Sequence, residues 1–131
     1  RPGKDNLLAR MLYEGKLLYF THAMMPETAR HDLMKYPEKK YQWCLDNENH
    51  LWAYFIEKKI LFSSQPMIYR KMLQDAPFTA QFGKGSPGQV AQWMGYRIVR
   101  RYMDENRNTS LAALMQNHDY PHILNQSGYD P

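Results

Sequence analysis

The sequence predicts an all-α protein, an irregular multi-helix domain of about five to six helices. Three observations lead there. Apolar residues recur at the 3.6-residue helical period over long stretches. Period-2 alternation, the mark of half-buried strands, is nearly absent. Prolines, serines and aspartates that cap or stop helices fall at the ends of the periodic segments. With 131 residues, the chain is long enough for one domain with a core of its own and short for two.

Taken in order, Asp5 is placed to cap a first helix over residues 5–25, where Leu8, Met11, Leu12, Gly15, Leu18, Tyr19 and His22 follow the period. Pro26 ends it and sits in the first turn of a short helix over 27–35. Pro37, again in a first-turn position, opens the longest helix, 37–62. Its apolar arc is Tyr41, Cys44, Leu45, Glu48, Leu51, Trp52, Phe55, Ile56 and Phe62. Ser64 and Pro66 begin a helix over 65–74. The segment "DAPFTAQFGKGSPG", 75–88, has no clear period and reads as the main loop, either functional or mobile. Ser86 as cap and Pro87 in the first turn start a helix over 87–106. Asn108 or Thr109 caps a helix over 110–117, and a last turn, Pro121 to Gln126, precedes the tail "SGYDP".

Composition narrows the function classes. Hydrophobic residues make up 44% and aromatic residues 14%, a globular rather than a disordered balance. The single cysteine, Cys44, rules out an internal disulfide. The net charge of +4 is carried by scattered pairs such as Lys39-Lys40 and Arg100-Arg101, with no basic stripe and no nucleic-acid motif, so no nucleic-acid partner is expected. No run is long enough to cross a membrane. The opening "RPGKDN" reads like a mid-chain loop, and the chain is expected to be the C-terminal fragment of a longer one.

Two acids stand out. Glu14 lies at the edge of the apolar arc of the first helix, followed by Gly15 near its centre. A glycine there costs about 1 kcal/mol against alanine and has a packing reason, because it lets another backbone or a bound group come close. Glu14 either faces water and pairs with Arg10 one turn earlier, or faces inward and binds something. Glu48 lies in the middle of the long helix's arc. There a carboxylate must be hydrogen-bonded, paired or on a metal; a tyrosine or arginine of a neighbouring helix would suffice. His118 and His122 have the four-residue spacing of metal ligands, but Pro121 interrupts the helix they would share, and HExxH, GxSxG and P-loop patterns are absent. His22 reads as a core histidine, and Cys44 as a buried, inert thiol.

Five segments in order, "RMLYEGKLLYF", "WCLDNENHLWAYFIEKKILF", "APFTAQFG", "SPGQVAQWMGYRIVRRYM" and "SLAALMQNHDYPHILNQSGYDP", resemble the C-terminal part of the gliding-motility-associated lipoprotein B family. That family is similar to a broader group of zinc-metalloprotease-like proteins. In these an HExxH helix is followed by a second helix whose glutamate, often in an "EG" step, is the third zinc ligand. The resemblance implies a zincin-like C-terminal subdomain with Glu14 in the third-ligand position and the HExxH segment upstream of this chain. It also implies a lipid-anchored protein on the periplasmic side of the cell envelope, touching the membrane only through that upstream anchor.

Two expectations follow. The first is a structural or partner-binding domain without catalysis, holding no cofactor, whose partners are envelope proteins and its own N-terminal region. The alternative is half of a zinc-dependent metallopeptidase. In it Glu14 is a ligand, Glu48 orients a ligand by hydrogen bonding, Tyr13, Tyr54 or Tyr96 steadies an oxyanion, and zinc is bound by the full-length protein. A helical module for an apolar ligand, suggested by the methionines and aromatics, is a weaker third.

Overall fold

Asn6, not Asp5, starts the first helix: its side chain accepts a hydrogen bond from the Ala9 amide at 2.8 Å, while Asp5 pairs with Arg10. Helix α1 then spans Leu7–Met24 and stops just ahead of Pro26. These features come from a computed structural model that describes residues 5–131; the first four residues of the "RPGKDN" segment, which the sequence places in a loop, lie outside the described residues. Helix α2 covers Arg30–Met34 and ends on Lys35, whose φ of 60° is left-handed. It starts later than 27 because Met25 to Thr28 close a turn of their own.

Helix α3, Glu38–Glu57, ends five residues before the expected 62. The stop is a Schellman motif without glycine. Lys59 takes a φ of 55°, its amide donates to Ile56, and the Ile60 amide reaches back to the Phe55 carbonyl. The buried Ile60 and Phe55 supply the apolar contact that goes with it. Phe62 lies beyond that stop and is exposed; Leu45 and Ile56 of the expected arc are exposed as well, whereas Cys44, Leu51 and Phe55 are buried.

Helix α4 spans Pro66–Leu73. The loop that follows is tied down. Lys40 donates from Nζ to the carbonyls of Pro77, Lys84 and Ser86 at 3.0, 2.7 and 2.6 Å. Ser86 donates to the Gly83 carbonyl and accepts from the Thr79 amide. Ser86 thus staples the loop instead of capping a helix, and helix α5 begins later than expected, at Val90, and runs to Glu105. Ser110, one residue past the expected caps, starts α6, Leu111–Gln116. The final turn is a full helix, α7, Tyr120–Ser127, capped by Asp119 and closed by Gly128 at a φ of 63°. The described residues thus form seven α-helices and one 3-10 turn, Ala80–Phe82, with no strand. No zincin-like arrangement is evident among them.

Helix α5 is the centre. Trp93, Met94, Tyr96, Ile98 and Val99 are fully buried, and α1 lies along α5 with Leu8, Met11 and Leu12 turned toward it. The crossing is backbone to backbone. A Cβ built on Gly15 would enter Gly95 and approach the Tyr96 amide to 2.8 Å, and one built on Gly95 would enter the Met11 carbonyl. Gly15 therefore admits a neighbouring helix.

Candidate functional site

The Gly15–Gly95 crossing sets the direction of every side chain around it. Lys16, which points to the packed side of α1, is 1% exposed. Its Nζ donates to the carbonyls of Asn117 at 2.8 Å and Met115 at 3.3 Å and lies 5.0 Å from the centre of the Tyr120 ring. Those carbonyls end α6, where the helix dipole favours a cation. Burial lowers the pKa of this amine. The sequence offered a signal for Lys16, since it falls on the same arc as Leu12, Gly15 and Tyr19.

Glu14 lies one position before the crossing and is half-buried. The expected pair with Arg10 does not form. Arg10 makes a two-pronged bond to Asp5, both arms 2.9 Å, and its guanidinium lies 4.2 Å over the Tyr69 ring. Among the described residues Glu14 has no hydrogen-bond or ion-pair partner. Its side chain lines a cavity of about 530 Å³ with Arg10, Tyr13, Gln89, Gln92 and Tyr120. Tyr54 and Tyr96 do not line it. Tyr54 packs edge-on against Phe82, and Tyr96 is buried with its hydroxyl 3.1 Å from His22 Nδ1. Of the three tyrosines named as alternatives for an oxyanion, Tyr13 is the one that borders the cavity beside Glu14.

Glu48 is committed. Arg97 donates to both its oxygens, Nε to Oε2 at 3.0 Å and Nη2 to Oε1 at 2.9 Å, and the Tyr129 hydroxyl donates to Oε2 at 2.6 Å. Burial, followed by the bond to Glu48, raises the Tyr129 pKa strongly. The Tyr129 ring stacks edge-on against Trp52 at 5.0 Å, so this cluster ties α3, α5 and the tail together. Arg97 and Tyr129 were not singled out in the sequence because their partner is distant along the chain. Cys44 is fully buried, and burial pushes its thiol up to about 12, with Glu48 adding to the effect.

At Glu14 a single carboxylate stands beside a paired guanidinium and two amides, and no group of three His, Cys, Asp or Glu among the described residues could hold a metal ion. His118 and His122 form no such group either.

Fold and site together define a helical domain in which Glu48 is held by Arg97 and Tyr129, and Glu14 is a half-buried acid without a partner among the described residues. The chain belongs to the gliding motility protein GldB family, whose model matches residues 1–131. The family is one of lipoproteins of gliding motility, which associates the chain with the cell envelope. The relationship to zinc metalloproteases has no support in this match. No curated protein and no solved structure matches the chain.

Proposed function

We propose that this domain is a non-catalytic, partner-binding part of a gliding-motility lipoprotein, the C-terminal part of a longer chain held on the periplasmic side of the envelope by an upstream lipid anchor. One observation carries the reading. Glu48 is held by Arg97 and Tyr129 within the fold, whereas the outer face of α1 leaves Tyr13, Leu17, Phe20 and Met24 exposed on a single stripe. Four large apolar side chains on one exposed helix face suit a contact surface.

The test is a gene replacement in gliding cells. Leu17→Asp is expected to stop gliding while the protein accumulates and unfolds at its normal temperature. Normal gliding by that strain overturns the reading.

A second reading has one observation in its favour: the Glu14 carboxylate is uncommitted, as a zinc ligand separated from its companion ligands would be. Stoichiometric zinc in the full-length protein, lost in Glu14→Ala, would establish it. Absence of zinc from that protein removes it.

A further inference from the structure

Tyr13, Leu17, Phe20 and Met24 are 48%, 39%, 40% and 58% exposed. Their spacing of four, three and four residues is the a/d repeat of a helix-pairing seam, on the side of α1 away from α5. Glu14 flanks that seam beside Tyr13, and both residues line the cavity of about 530 Å³. A half-buried carboxylate without a partner becomes costly when a cover removes the remaining water, unless the cover brings a cation. Arg10 cannot serve, because it is bound to Asp5 on both arms.

We infer that this face docks an amphipathic helix of another protein, with a basic side chain of that helix entering the cavity and pairing with Glu14. The inference rests on the partner-binding reading above and supplies the partner's chemistry. Leu73 and Tyr13 give the cavity apolar lining for the aliphatic stem of a lysine or arginine, and Glu14, Gln89 and Gln92 give it polar groups for the charged head.

A second copy of the chain fits less well. Two copies of α1 laid antiparallel about the stripe's centre bring Glu14 opposite Ala23, and laid parallel they bring it opposite its own counterpart. Neither arrangement supplies a cation. An anionic membrane surface would repel the carboxylate.

The test uses the full-length natural protein and two three-heptad synthetic helices with the same apolar seam, one flanked by lysines and the other by glutamates. Isothermal titration is expected to show the lysine helix binding about tenfold tighter at low salt. Glu14→Gln should erase that preference, Glu14→Lys should reverse it, and Leu17→Asp should abolish binding of both helices with an unchanged melting temperature. Equal binding of the two helices, or binding of neither, overturns the inference. So does a dimer, or attachment to phosphatidylglycerol vesicles, that Leu17→Asp abolishes. If the helices fail to bind while Leu17→Asp still stops gliding, the partner-binding reading stands and only the basic helix falls.

Discussion

Gly15→Ala tests the crossing on which the site is built. Helix propensity alone makes this change stabilising by about 1 kcal/mol. The structure predicts the opposite sign. The added methyl would meet the Gly95 carbonyl carbon and oxygen and lie 2.8 Å from the Tyr96 amide, all of them backbone atoms that no rotamer change can move. The α1 and α5 axes must separate, loosening contacts around Met11, Leu12 and Tyr96. Overpacking of this kind costs about 1–3 kcal/mol, and a backbone obstacle puts it at or beyond the upper end. A net loss of about 2 kcal/mol, with about 2.1 cal/mol/K of unfolding entropy per residue over 131 residues, lowers Tm by roughly 7 °C. Thermal unfolding followed by circular dichroism measures it. An equal or higher Tm in Gly15→Ala would refute the close crossing and return Gly15 to the role of making room for a bound group.

Three further outcomes follow from the polar interior. Glu48→Ala strips Arg97 and Tyr129 of their acceptor and is expected to cost about 2–3 kcal/mol by denaturant titration. That is less than for a fully buried pair, because the Arg97 side chain is 27% exposed. Lys16→Ala leaves the last carbonyls of α6 unsatisfied beside a new void, with an expected loss of about 2–4 kcal/mol; Lys16→Met, which keeps the volume, should lose about 1 kcal/mol. Cys44 makes stability fall at alkaline pH: the unfolded thiol ionises near its ordinary value of 9.0, whereas the folded thiol keeps its proton up to about 12. Folding therefore takes up a proton across that window. Cys44→Ala should flatten the pH dependence just above 9, and the native thiol should stay unreactive toward a disulfide reagent until the chain unfolds.

Helix existence and order were legible because each long element carries its own period, and proline stops mark several boundaries. The ends were less so wherever a residue did something its type does not announce. Lys59 adopts a left-handed conformation usually left to glycine and cuts α3 short at Glu57. Ser86 has the look of a helix cap but is drawn into the loop by Thr79 and Gly83. Within the site, periodicity put Gly15 near the centre of the packed arc, open to another backbone or a bound group, and Glu48 on an apolar arc. It could not supply Arg97 and Tyr129, because the distances that join them to Glu48 are set by three separate elements. Glu14 is the reverse case. The sequence offered Arg10 as a neighbour at helical spacing, but Asp5, outside the helix, reaches that guanidinium first.

Gliding by cells whose only copy of the gene carries Leu17→Asp tests the partner-binding account most directly, provided the variant protein is shown to accumulate and to unfold at the wild-type temperature. Loss of gliding with a folded, abundant protein is the predicted result. Wild-type gliding with the stripe interrupted would contradict the account.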